Sequence, residues 1–228
     1  MRNCYRLILF DLDGTLTDSK VGIMNSLNYA LKKSGIVEDN LEKLDSFIGP
    51  PLVYAFSASY GLSEEKAVQA VNFYREYFRE KGLFENRLYE GVYELLAGLK
   101  ERGLQIALAT SKPTVFAERI LEHFSLNRFF DLVVGSNLDN TRCEKAEVIA
   151  YVLSCVGTEN IKLSQVVMVG DRKHDIIGAK ENGIDSIGVT YGYGETKEIE
   201  EAGPTYLVNS VSELNNLLRR ITCGSPAG

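Results

Sequence analysis

Along the chain, short unbroken apolar runs alternate with stretches in which apolar residues return every three or four positions. The runs fall at 7–10, 105–109, 132–134, 166–169, 186–189 and 206–208. Their interiors are aliphatic, aromatic or β-branched and nearly continuous, the pattern of strands covered on both faces. Between them the spacing predicts helices. Residues 91–102 place Val92, Leu95, Leu96 and Leu99 on one face, finish in Lys100 and Arg102, and stop at Gly103. Cations and a following glycine suit a helix C-terminus. Residues 144–155 and 175–182 read similarly, the second closed by Gly183. Strand and helix in alternation predict right-handed crossovers. The expected fold class is α/β, a doubly wound, Rossmann-like parallel sheet.

One region breaks the rhythm. From 19 to 87 the pattern is helical and no strand is convincing. Ser63 caps a long helix with the stripe Ala67, Val71, Tyr74 and Phe78, with Glu64 and Glu65 in its first turn and Gly82 beyond its end. Residues 21–34 form another, carrying Met24, Leu27 and Leu31 and stopped by Gly35. Ile48, Gly49, Pro50 and Pro51 make a turn between two more. The expected organisation is a core of 1–18 and 88–228 interrupted by an all-helical insert, 19–87. The small, polar tail 223–228 is expected to fray.

Composition excludes more than it identifies. With 228 residues, 45% of them hydrophobic, the chain can bury a substantial core. A formal net charge of -6 argues against a nucleic-acid polymer as partner. It leaves room for a small phosphorylated substrate, held locally by a metal and one basic residue. No apolar run is long enough for a membrane span or a signal peptide. Cys4, Cys143, Cys155 and Cys223 form no C-x-x-C pair and lie away from His123 and His174. They read as reduced thiols of a cytoplasmic protein, monomer or homodimer.

The chemistry sits where the runs end. In an open parallel sheet, ligands bind outside the carboxyl ends of the strands. After the first run come Asp11 and Asp13; after the second, Thr110, Ser111 and Lys112; after the fourth, Gly170, Asp171, Arg172, Lys173, His174 and Asp175. Four carboxylates from two distant segments would share one crevice. Ionised carboxylates are costly to bury without a compensating cation. Histidine is scarce there, so the donors are all oxygen, and Mg2+ is the expected occupant. Asp11 and Asp171 are the candidate direct ligands. Asp13 is expected to ligate through its carbonyl, because alternate residues of an extended segment point opposite ways. Asp175, at a helix start, can cap the helix and hold metal-bound water. Plainer roles exist for each: a turn for Asp11, Asp13 and Asp171, a helix cap for Asp175. Singly, the plain role suits Asp175 and Asp18 better; two acidic clusters at two strand ends are hard to explain as turns.

With these residues in view, the chain resembles the haloacid dehalogenase superfamily in its phosphatase branch. "DLDGTLTDS" looks like that family's first motif, "ALATSK" (107–112) like its second, Lys145 in "CEKAEVI" like its third, and "VGDRKHDIIGAKENG" like its fourth. The helical insert resembles the family's small C1-type cap, and the layout is that of the phosphoglycolate phosphatase-like group, most like its 5'-nucleotidase-like members. The resemblance implies that Asp11 is the nucleophile and forms an aspartyl phosphate. It implies that Asp13 is the acid on the leaving alkoxide and then the base on water. The dehalogenase branch lacks this second aspartate, because a halide leaves without a proton, so Asp13 argues for phosphoryl chemistry. Phosphate would be held by the backbone around Leu12 and Asp13, with Gly14 allowing the tight loop, and by Thr110, Ser111 and Lys145. Lys145 is preferred to Lys112 as the motif lysine because it opens a helix, although Ala146 follows it where the family often has proline. Lys112 is left as a solvated helix residue, and Arg172, Lys173 and His174 as surface. Specificity is expected in the cap, with Gly49 and Leu52 as candidate substrate contacts; the bland alternative is an ordinary interhelical turn. Tyr29, Phe47, Tyr54, Phe56 and Tyr60 either stack on a nucleobase or pack the cap's own core. A phosphomutase and a non-catalytic phosphate-binding protein are the rival functions.

Overall fold

The computed structural model describes residues 4–48, 51–139, 141–156 and 161–223. In chain order the elements are β1 (Leu7–Phe10), β2 (Thr17–Asp18), α1 (Lys20–Lys33), a 3-10 segment (Leu41–Phe47), α2 (Leu52–Tyr60), α3 (Glu64–Tyr77), a π-helical turn (Phe78–Gly82) and β3 (Arg87–Leu88). There follow α4 (Val92–Glu101), β4 (Gln105–Pro113), α5 (Thr114–His123), β5 (Leu132–Ser136), α6 (Lys145–Val156), β6 (Val166–Gly170), α7 (Lys173–Glu181), β7 (Asp185–Val189), α8 (Thr196–Ala202), β8 (Tyr206–Val208) and α9 (Val211–Ile221). The chain divides into two compact units, 1–17 with 88–228, and 18–87.

The first unit is built on a six-stranded parallel sheet of order β5-β4-β1-β6-β7-β8. Both faces of its central strands are buried, as continuous apolar runs require. On one face Leu7, Leu9, Ala107, Ala109, Val134, Val166 and Met168 pack with Val148, Ile149 and Val152 of α6 and Ala179 of α7. The alternate residues Ile8, Phe10, Ile106, Leu108, Val167 and Val169 are buried as well. Because β1 lies between β4 and β6, the ends of these three strands bring residues 11–13, 110–112 and 171–175 to one edge.

All six apolar runs become strands, with ends moved by up to four residues. The largest change is β4, which runs to Pro113 instead of stopping at Ala109. Its pairing with β5 shifts after Ala109 and resumes at Pro113 opposite Ser136, and Ser136 Oγ donates to the Ser111 carbonyl at 2.8 Å. Lys112 is therefore on a strand, not in a helix. Helices α5, α8 and α9 join those expected from the spacing.

In the second unit α1 packs on α3, and Ser63 caps α3 by accepting from the Lys66 N–H at 3.5 Å. Ala67, Val71, Tyr74 and Phe78 are all buried. Gly82 falls inside the π-helical turn instead of past a helix end. It lies so close to Gly22 of α1 that a Cβ on either would strike the other's backbone. The two short strands Thr17–Asp18 and Arg87–Leu88, which the sequence pattern does not reveal, pair with each other where the chain leaves and re-enters the first unit.

Cys4 and Cys223 are joined as a disulfide, their Cα atoms 5.3 Å apart. This corrects the expectation of four reduced thiols. The Tyr5 N–H donates to the Ile221 carbonyl at 3.0 Å and the Cys223 N–H to the Tyr5 carbonyl at 3.1 Å. The two chain ends therefore run side by side, a neighbourhood that a sequence separation of 219 conceals. Cys143 and Cys155 are free. The tail beyond Cys223 lies outside the described residues.

Candidate active site

Asp11 follows β1 directly, and its N–H donates to the Val169 carbonyl of β6 at 2.9 Å. Its carboxylate is mostly buried, with Oδ1 2.9 Å from Lys145 Nζ. Lys145 is the first residue of α6 and is itself buried. Its ammonium also meets Asp175 Oδ1 at 2.8 Å and donates to the Ala109 carbonyl at 3.0 Å. Burial works against the charge on Lys145, but Asp11 and Asp175 outweigh it and hold the ammonium above the ordinary lysine range.

Asp175 is the third residue of α7. Its Oδ2 accepts from the Arg172 N–H at 3.0 Å, closing the first turn, while Oδ1 faces Lys145. It thus closes the first turn, as expected of it at a helix start, and turns its other oxygen to Lys145. Burial pushes its carboxyl up to about 6, partly offset by Lys145.

Asp171 directly follows β6 and is fully buried. Thr15 Oγ donates to its Oδ1 at 3.2 Å, and the Tyr193 N–H donates to its Oδ2 at 2.8 Å. Tyr191 adds a tie by donating its hydroxyl to the Thr15 carbonyl at 2.9 Å. The backbone presses so closely on this carboxylate that a Cβ on Gly14 or Gly192 would collide with it, and Gly14 also has φ +81°. Gly14 gives its own N–H to the Thr17 carbonyl at 2.8 Å, inside the turn. Burial first, then the charges of Asp175 and Asp11, push the Asp171 carboxyl up to about 8.

Oxygens of Asp11, Asp171 and Asp175 lie within 4.8 Å of one another. Two of these three buried carboxylates, Asp11 and Asp175, meet the Lys145 ammonium, and the third, Asp171, is left without a cation of its own in the cluster. The donors are all oxygen and all hard. A divalent cation fits both the charge and the donor set. The Asp13 carboxylate takes no part in this cluster. Its Oδ2 lies 2.9 Å from Lys112 Nζ, whose side chain is only 6% exposed. That corrects the reading of Lys112 as a solvated residue: side chains alternate along an extended strand, so position 112 projects with Thr110 and not away from it. Thr110 is buried, and its Oγ accepts the Lys112 N–H at 3.3 Å. Leu12 is buried, and its carbonyl gathers the N–H groups of Leu16 and Thr17 at 2.9 and 3.0 Å, which folds the chain back after Asp11.

Arg172 is not simple surface: its Nε donates to Glu198 at 2.8 Å. His174 is half-buried and is driven toward the neutral form by burial and by Arg172 and Lys173. Of the candidate substrate residues, Gly49 lies outside the described residues. Leu52 opens α2 in the second unit and is partly exposed. Phe47 and Phe56 meet edge to face, ring centres 5.2 Å apart, and both are buried, so they belong to that unit's own core. Lys112 and the loop 191–194 are what the sequence reading missed. The two-residue step from Thr110 and the repeated Tyr-Gly of 191–194 were the signals available.

A sequence profile described as "Haloacid dehalogenase-like hydrolase" matches residues 8–189. A 5'-nucleotidase of Pseudomonas aeruginosa is 46% identical over 214 residues, 94% of this chain and 96% of that protein. The tyrosine-protein kinase PtkA of Mycobacterium tuberculosis is 37% identical over 215 residues, 93% of this chain and 72% of that protein. A crystal structure of a predicted phosphatase from Clostridium acetobutylicum superimposes with a TM-score of 0.90 at 47% identity, covering 95% of this chain and 99% of that one. Among the described residues no helix is long and apolar enough to cross a membrane.

Proposed function

The chain belongs to the haloacid dehalogenase-like hydrolases and is a phosphatase, and from that premise we propose that it is a Mg2+-dependent phosphomonoesterase working through an aspartyl phosphate on Asp11. The observation that carries the reading is the convergence of Asp11, Asp171 and Asp175 on one another beside neighbouring strand ends, with Lys145 on Asp11 and Asp175. Asp11, Asp171 and Asp175, with the Asp13 carbonyl, would hold the metal. When bound, it would supply positive charge against the phosphoryl oxygens.

The protein's own groups divide the remaining work. The Asp11 oxygen that Lys145 does not hold forms the bond to phosphorus as the bond to the leaving oxygen breaks. Asp13 gives its proton to that leaving oxygen. A water then forms the new phosphorus–oxygen bond and passes its proton back to Asp13, and the bond to Asp11 breaks. The sum is an alcohol and inorganic phosphate, with both aspartates restored. Lys145 and Thr110 face the charge that builds on the equatorial oxygens.

A nucleoside 5'-monophosphate is the first substrate to try, supported by the 46% identity with the Pseudomonas aeruginosa enzyme; residues 18–87, Leu52 included, are assigned the choice of leaving group. Phosphate release should be measured across nucleotides, phosphoglycolate and sugar phosphates, with sugar-phosphate isomerisation and transfer from ATP to a tyrosine peptide as further channels. Release that stops with chelator and returns with Mg2+ supports the reading. Isomerisation or peptide labelling without release would overturn it in favour of a mutase or a kinase.

The metal has a second readout. The Asp171 and Asp175 carboxyls are both raised above their unfolded value of 3.8. A raised carboxyl stabilises the fold fully below about pH 4 and loses that contribution as pH climbs through the folded value. Metal-free protein should therefore lose stability between about pH 4 and 8. The rise in Tm on adding Mg2+ should be larger at pH 8 than at pH 5. A rise of equal size at both would count against a metal on these carboxylates.

A further inference from the structure

Lys112 has no part in the reaction as laid out so far, yet it is among the most buried lysines of the first unit. A lysine is seldom buried without a partner, and this one meets Asp13 at 2.9 Å. The placement is built in. Lys112 stands on β4, next to β1 in the sheet, and two residues past Thr110. Its backbone is fixed from the other side: a Cβ on Gly135 of β5 would strike the Lys112 carbonyl, and the neighbouring Ser111 carbonyl accepts from Ser136. The other oxygen of Asp13, Oδ1, is buried and accepts no hydrogen bond. The two lysines therefore serve different acids. Lys145 faces Asp11 and Asp175, and Lys112 faces Asp13.

We propose that Lys112 is the positioning residue for proton transfer: it ties Oδ2 of Asp13 and so reserves Oδ1 for the leaving oxygen and then for the attacking water. The inference rests on the reading of Asp13 as the acid and base. An untethered carboxylate would spread over several rotamers, and a displacement of about 1 Å at such a group can cost about a hundredfold in rate. The tie matters most where protonation matters most. Esters of alcohols need a proton on the departing oxygen, whereas esters of acidic phenols scarcely do.

The test measures kcat and KM for a series of aryl phosphates of graded phenol acidity, together with an alkyl phosphate. Lys112→Met should lower kcat for the alkyl phosphate at least about ten times further than for the ester of the most acidic phenol, with little change in KM. In an Asp13→Asn background the same change should add less than about a twofold loss, because the group it positions is already gone. An equal loss on every ester, or full additivity with Asp13→Asn, would overturn the proposal. Should Lys112→Met fail to fold, Lys112→Arg decides. Its guanidinium keeps the charge but not the ammonium's fit to Asp13 Oδ2, so its loss should be larger on the alkyl phosphate than on the ester of the most acidic phenol, and an equal loss on every ester would refute the tether. Failure of the underlying reading shows elsewhere, as undiminished turnover of the alkyl phosphate in Asp13→Asn alone.

Discussion

Asp11→Asn is expected to fold like the parent and to lose at least about four orders of magnitude in kcat. Asparagine keeps the shape of the side chain and leaves an oxygen able to face Lys145, now 2.9 Å from Asp11 Oδ1. It removes the negative charge, and with it the electron pair that would attack phosphorus. What survives is the binding apparatus, which alone gives only a small part of the acceleration. Tm and kcat measured on the same preparation check the two halves of the statement. Turnover above about 1% of the parent's would assign the nucleophile elsewhere.

Lys145→Met should cost nearly as much, for a different reason. The ammonium is the counter-charge of two buried carboxylates and touches the Ala109 carbonyl as well. Removing one partner of a buried ion pair leaves uncompensated charge, worth about 3–5 kcal/mol of stability. The loss should depend on pH in a definite direction. Asp175 is already raised to about 6 with the lysine present, and without it the carboxyl rises further. Below about pH 5 Asp175 is protonated in the variant and the penalty fades; at pH 8 it is full. The gap in Tm between parent and variant should accordingly be wide at pH 8 and narrow at pH 5. Activity should fall by about a hundredfold or more, because the charge facing the phosphoryl oxygens is gone. A gap independent of pH would show that Lys145 matters for packing alone.

The parallel sheet was legible because each strand is buried on both faces, and such strands write themselves as short apolar runs. Asp11, Asp171 and Asp175 were legible because acids that close such runs stand at the strand ends where ligands bind. Lys112 was not, and the cause is specific. Its element depended on whether β4 stopped at Ala109, and it was pairing with Ser136 of β5, a contact 23 residues away in sequence, that carried the strand to Pro113. A lysine followed by Pro113 and Thr114 reads locally as the start of the next helix. The loop that seats Asp171 was hidden for a similar reason. Its Tyr193 N–H and Tyr191 hydroxyl act on residues 22 and 176 positions away. The disulfide is the extreme case, since nothing near Cys4 or Cys223 in sequence tells that the chain entering β1 lies beside the chain leaving α9.

The central claim is a phosphoryl group carried on Asp11, and it has a direct measurement. Asp13→Asn protein, in which cleavage of the intermediate is expected to be slowed, should be mixed with an aryl phosphate labelled at phosphorus, quenched in acid within milliseconds, reduced with borohydride and mapped by mass spectrometry. The predicted result is labelling that approaches one phosphoryl group per chain, lost to hydroxylamine, with Asp11 converted to homoserine. Phenol release without labelling, or label on any other residue, would contradict it.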